Sequence, residues 1–256
     1  MTLTDTHTHL YAEQLREDLD EVIERAERAG VKRFFLPNID SSSIDAMLQL
    51  EQRDPQRFFP MMGLHPCSVK ENFETELKLV ETWLAKRKFV AVGEIGIDLY
   101  WDKSTLPQQQ EAFRRQANWA KHYQIPIIIH ARESFDEIFE LMEEVNDDQL
   151  TGIFHCFTGT LEQAQTIIGY GGFKLGIGGV VTFKKAALDL VLKEIDVQHI
   201  VLETDSPYLA PTPYRGKRNE SAYVLEVAQK VADIYEMPLE ELARITTQNS
   251  KEIFGV

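Results

Sequence analysis

The chain has 256 residues, 43% of them hydrophobic, and a formal net charge of −14. That hydrophobic content excludes a disordered polypeptide, and the acidity excludes indiscriminate binding of duplex nucleic acid, which rests on phosphate neutralisation by Lys and Arg. Two cysteines, Cys67 and Cys156, are too few for a disulfide framework and point to a reducing compartment.

Short apolar runs alternate with longer amphipathic segments. The runs expected to be strands are residues 3–9, 33–37, 58–64, 89–94, 126–130, 152–156, 172–177 and 200–205. They are rich in β-branched and aromatic residues, as strands buried on both faces should be. Helical patterns lie between them. Leu15, Leu19, Val22, Ile23 and Ala26 share one helical face, with Gly30 as the stop. Pro107 stands at a first helical position ahead of Phe113, Ala117 and Ala120; Val224, Val227, Ala228 and Val231 mark another helix, and Pro238 opens the last. Alternating strands and helices call for a parallel sheet, and eight strands suffice to close it. The expectation is an α/β chain forming one (β/α)8 TIM barrel over residues 1–256. An open doubly wound sheet would carry a Gly-rich fingerprint after an early strand, and none is present. No basic stretch leads into an apolar core at the N-terminus, and no apolar run reaches spanning length. A cytoplasmic monomer with no membrane or protein partner is therefore expected.

Unusual polar residues fall at the ends of these strands. His7 and His9 close the first, and residues two apart in a strand point the same way. Glu94 closes the fourth, His130 the fifth, His155 the sixth and Asp205 the eighth. In a barrel these ends meet on one face, where active sites sit. Imidazole and carboxylate suit Zn²⁺ or Mn²⁺, and carboxylate with water suits Mg²⁺. A lone histidine after a strand is usually bland. Here four of the seven histidines fall on one face beside two carboxylates, and six ligands exceed the needs of one ion. Two divalent metal ions (Mg, Mn or Zn) sharing a carboxylate fit the number.

Seven stretches carry a family resemblance: Asp5-Thr6-His7-Thr8-His9, Gly63-Leu64-His65-Pro66, Gly93-Glu94-Ile95-Gly96-Ile97-Asp98, Ile129-His130-Ala131-Arg132, His155-Cys156-Phe157-Thr158-Gly159, Leu202-Glu203-Thr204-Asp205-Ser206-Pro207 and Arg215-Gly216-Lys217-Arg218-Asn219-Glu220. In order and spacing the chain resembles the TatD family of metal-dependent deoxyribonucleases. The resemblance implies hydrolysis of phosphodiesters, typically single-stranded DNA trimmed from its 3′ end. It also implies that His7, His9, Glu94, His130, His155 and Asp205 are metal ligands, with Glu94 bridging. Two positions depart from the family pattern. Cys67 stands where a second histidine is common, and Ser221 stands where proline is.

The expected reaction is attack on phosphorus by a metal-activated water, with Asp205 accepting its proton. Asp205 is also a candidate N-cap of the following turn, a role compatible with the first. His65 is a candidate contact to the scissile phosphate or leaving oxygen, or else a structural histidine. Arg132 is a candidate phosphate clamp, or else a surface ion pair. Arg215, Lys217 and Arg218 are a candidate electrostatic rim, or else a solvated loop. Tyr100, Trp101 and Phe157 are expected to pack rather than stack on bases. Gly176, Gly178 and Gly179 either admit a phosphate or shape a loop. Glu203 is a candidate for orienting a ligand, Cys156 reads as a small buried hydrophobe, and His122 and His199 read as structural. The rival readings are a D-aminoacyl-tRNA deacylase and an amidohydrolase-like ester or lactone hydrolase. Many phosphotriesterase-like barrels use a carbamylated lysine on the fourth strand, and residues 89–96 contain none.

Overall fold

The computed structural model describes residues 1–256. Eight strands alternate with helices: β1 Leu3–Asp5, β2 Val31–Pro37, β3 Phe58–Met61, β4 Val92–Asp98, β5 Ile127–Arg132, β6 Gly152–Phe154, β7 Phe173–Ile177 and β8 Ile200–Leu202. The helices are α1 Leu19–Arg28, α2 Ile44–Arg53, α3 Phe73–Lys86, α4 Leu106–Tyr123, α5 Phe135–Val145, α6 Leu161–Gly169, α7 Leu188–Leu192, α8 Val224–Ile234 and α9 Leu239–Phe254. All pairings between neighbouring strands are parallel, in two ladders of β1 to β3 and β4 to β8. Irregular backbone closes the ring. Met62 N–H donates to Ala91 O and Gly93 N–H to Met62 O on one seam. On the other, Thr6 N–H donates to Leu202 O and Asp205 N–H to His7 O. The result is a (β/α)8 barrel.

Two hydrophobic clusters divide the strand faces. The larger, of 57 buried residues, fills the space between strands and helices. The smaller lies inside the barrel and includes Phe35, Met61, Ala91, Ile128, Ile153 and Val201. Phe254 of α9 stacks on Phe35 with centroids 3.9 Å apart and closes the end away from the histidines. Side chains alternate along a strand, so this inner layer fixes what lies two residues on. Ile128 is followed inward by His130, Ile153 by His155 and Val201 by Glu203. The apolar plug therefore sits beneath a polar layer.

Strand β4 breaks that alternation. Its register with β5 shifts between Val92 and Ile95. Val92, Ile95 and Ile97 all join the outer core, so Gly93 and Glu94 both turn inward. This is the re-aiming expected of a β-bulge. The expected fourth strand, residues 89–94, is thus displaced: it runs on to Asp98. Other expected ends are trimmed. His7, His9, His155 and Asp205 lie just past β1, β6 and β8, where the backbone leaves the ladder. The expected first helix is also split, with Leu15 in a 3₁₀ turn over Glu13–Asp18 and α1 starting at Leu19.

Gly96 is held at φ +149°, and a Cβ there would meet His130 O at 1.9 Å. Backbone and space both forbid a side chain, because β4 and β5 press together at the level of His130. Gly96→Ala should cost about 3 kcal/mol or more, or prevent folding, as measured by urea unfolding. A variant within about 1 kcal/mol of wild type would show that β4 and β5 are not packed as described.

Candidate metal centre

Glu94 lies at the middle of the polar layer, almost fully buried. Its two oxygens face different histidines. Oε2 is 3.1 Å from His7 Nε2 and 3.8 Å from His9 Nε2. Oε1 is 2.9 Å from His130 Nδ1, 3.4 Å from His65 Nε2 and 3.7 Å from His155 Nε2. Asp205 Oδ1 completes the group at 3.5 Å from His9, 3.9 Å from His7 and 4.0 Å from His155. The structure thus brings all six sequence-predicted metal ligands together, with His65 beside them.

Hydrogen bonding sorts these imidazoles by tautomer. Tyr11 donates its hydroxyl proton to Pro37 O, so it accepts from His9 Nδ1–H at 2.8 Å. That leaves the His9 Nε2 lone pair facing Glu94 and Asp205. His155 Nδ1 lies 2.8 Å from Glu203 Oε1, a close ion-pair contact at an angle outside good hydrogen-bond geometry. A carboxylate only accepts, so Nδ1 carries the proton and Nε2 faces the centre. His130 Nε2 is 2.9 Å from Asp98 Oδ2, which contacts no other histidine. Its Nδ1 then faces Glu94 Oε1. His65 is the opposite case. Its Nδ1 accepts Cys67 N–H at 3.0 Å, so Nε2 carries the proton and donates. That Nε2 lies 3.4 Å from Glu94 Oε1.

His7 is buried, yet neither ring nitrogen has a hydrogen-bond partner. Its ring stacks on His155 at 3.5 Å. Burial and the neighbouring His155 hold its pKa below the ordinary value, which favours the neutral, ligating form. Elsewhere the pocket calls for positive charge. Burial alone would raise Glu94, but His65, His7 and His155 hold it well below the usual carboxylate range. Burial opposes charge on His155, yet Glu203, Glu94 and Asp205 draw it up to about 10. An orphaned imidazole, three inner ring nitrogens turned toward carboxylates and a surplus of buried anionic oxygen are what divalent cations satisfy. The donor set fits them.

Several supporting residues had no assigned role from the sequence. Asp98 is held at a pKa of about 2: burial raises it, but the His130 hydrogen bond and the Trp101 and Tyr100 N–H groups lower it further. Its position four residues after Glu94 on one strand was the available signal. Asp5 accepts Thr204 N–H and Oγ1–H at 3.0 and 2.6 Å, tying the first histidine loop to the eighth strand. Tyr11 had no signal beyond its spacing from His9. Asp205 and Cys156 adopt positive φ of 58° and 47°, a local strain that re-aims the chain where it enters the centre. Gly176 leaves room for Glu203, since a Cβ there would meet Oε2 at 2.3 Å, and Gly179 admits the Leu209 carbonyl at 2.2 Å. Gly176 lies within β7, and Gly179 shapes the turn after it.

Other expectations need correction. Arg218 does not face the centre as a free cation. It donates to both Asp18 oxygens at 2.7 and 2.6 Å and to Gln14 O, while Arg25 holds Asp18 and Glu220. Two guanidinium groups and two carboxylates close on one another and staple the loop to α1. Arg215 lies over the Phe183 ring at 4.4 Å and has no carboxylate within 4 Å. Arg132 is exposed and forms no ion pair, contrary to its bland reading. Phe157 is buried as expected, but Tyr100 and Trp101 are 49% and 70% exposed.

A barrel carrying a strand-end cluster of imidazoles and carboxylates defines a metal-dependent hydrolase class, and the comparisons narrow it. Residues 4–255 match the family model for TatD related DNase. YabD of Bacillus subtilis, an uncharacterized metal-dependent hydrolase, is 42% identical over 99% of both chains. YcfH of Escherichia coli K12, named likewise, is 32% identical over 100% of this chain and 97% of its own. The crystal structure of YjjV, a TatD homologue from Escherichia coli K12, superposes with a TM-score of 0.93 at 27% identity, over 99% and 98% of the two chains. The chain belongs to the TatD family of metal-dependent hydrolases.

The tautomers predict which histidines matter for metal content. His65→Ala should retain the wild-type metal stoichiometry by elemental analysis, whereas His7→Ala, His9→Ala and His130→Ala should each lose metal. Loss of metal from His65→Ala with retention in His9→Ala would reverse the assignment.

Proposed function

We propose that this hydrolase cleaves phosphodiester bonds of single-stranded DNA, as a 3′–5′ exodeoxyribonuclease. The observation that carries the reading is the Glu94 carboxylate, whose two oxygens face separate sets of imidazoles. His7, His9 and Asp205 would hold one divalent ion with Glu94 Oε2. His130 and His155 would hold a second with Glu94 Oε1. Bound ions of this kind supply neutralisation of the phosphate and a water of lowered pKa.

The chain's own residues do the rest. Asp205 is 14% exposed and, with His130 at 16%, opens toward solvent from which water and substrate arrive. Its carboxylate accepts the proton released as water attacks phosphorus. His65 Nε2–H points into the centre as a donor, suited to a phosphate oxygen or the departing 3′ oxygen. Asp98 and Glu203 keep His130 and His155 turned the correct way. Arg132 and Arg215, free of carboxylate partners, offer positive charge to an anionic strand in an otherwise acidic chain. The matched family model's description is the further support for DNA.

The test is release of nucleotides from 3′-tailed single-stranded DNA with Mg²⁺, Mn²⁺ or Zn²⁺, with and without chelator. Wild type should release them only with metal. Asp205→Asn should lower kcat by about 10²–10⁴-fold, the range of general acid–base catalysis. Turnover of lactones, or of D-aminoacyl-tRNA, without nucleotide release would overturn the assignment.

A further inference from the structure

Two aromatic side chains stand in solvent beside this centre, and no packing role accounts for them. Trp101 is the most exposed large hydrophobic residue of the chain, and Tyr100 is half exposed. Their rings meet edge to face, with centroids 4.9 Å apart. The Arg132 guanidinium lies over Tyr100 at 3.8 Å and reaches to 5.7 Å from Trp101. Arg132 has no carboxylate within 4 Å. The group therefore presents planar π surface and unneutralised positive charge together.

The step is held in register with the centre. Asp98 Oδ1 accepts Tyr100 N–H at 3.0 Å and Trp101 N–H at 3.2 Å. The other oxygen of the same carboxylate binds His130 Nε2 at 2.9 Å. Arg132 ends β5, two residues past His130, and pairs in register with Asp98. Leu99 N–H donates to Arg132 O, fixing the two strand ends together. One carboxylate thus sets both an imidazole of the centre and the turn that carries the rings.

We propose that Trp101, with Tyr100 and Arg132, is a stacking platform for one unpaired nucleobase of the strand whose phosphate lies at the metal centre. The inference rests on the nuclease reading above. The occupant follows from the chemistry. A ring face recognises a planar group, and an adjacent free guanidinium recognises an anion; a nucleotide joins the two within one unit. Bases within a duplex already stack on one another and cannot reach Trp101, so the platform selects unpaired strand. It sets no sequence, because every base has a π face.

Oligonucleotides carrying a single abasic residue, moved one position at a time from the 3′ end, test this with the metal-loaded enzyme. Wild type should lose about tenfold in kcat/KM when the abasic residue occupies one position near the cleaved bond. Trp101→Ala should lose a similar factor on the intact strand, mostly through KM, and no more than about twofold further on that abasic strand. Trp101→Phe should recover most of the loss. An unchanged Trp101→Ala enzyme, or a loss that is the same at every abasic position, overturns the platform. If wild type cuts no oligonucleotide, the nuclease reading fails and the platform with it; intact cutting without this coupling removes the platform alone.

Discussion

A carboxylate buried among imidazoles is costly unless something positive shares it. Glu94 is in that position, with five histidines around its two oxygens and almost no water contact. Desolvation opposes its charge, and the surrounding rings restore it. Every other arrangement at this end of the barrel follows from that one group. The bulge at Gly93 and Glu94 turns it inward, and Gly96 lets β5 press close enough for His130 to reach it. The apolar plug beneath keeps water from relieving it on the other side.

Cations relieve such a site only if the rings offer lone pairs, so the hydrogen bonds one layer out decide the chemistry. Tyr11, Glu203 and Asp98 each occupy the outer nitrogen of one histidine and leave the inner one turned toward the Glu94 carboxylate. The Cys67 backbone does the reverse to His65 and makes it a donor. The same kind of side chain can thus be set to offer a lone pair or a proton, according to which nitrogen is bonded outward. Asp98 couples this layer to the rim as well, since its second oxygen anchors the exposed aromatic turn.

Much of this was legible in the chain itself. Parallel-barrel patterning places strand ends on one face, so His7, His9, His130, His155 and Asp205 could be brought together without coordinates. Glu94 was legible as a strand-end carboxylate, but not the irregularity that aims it, because a bulge adds a residue without changing composition. Asp98 stood in view within Gly-Glu-Ile-Gly-Ile-Asp, yet its partner lies 32 residues away. Arg218 read as part of an electrostatic rim or a solvated loop because its partner, Asp18, is 200 residues distant. Tyr100 and Trp101 read as core because aromatic residues usually are; only the packing around them reveals that nothing covers them. Long-range pairing and exposure are properties of the fold, and no local pattern encodes them.

Glu94 is proposed to serve two cation positions at once. Anomalous diffraction from crystals grown with Mn²⁺ measures this directly. Two peaks are predicted, roughly 3.5–4 Å apart, one on each side of the Glu94 carboxyl group. A single peak, or metal bound away from Glu94, would contradict it.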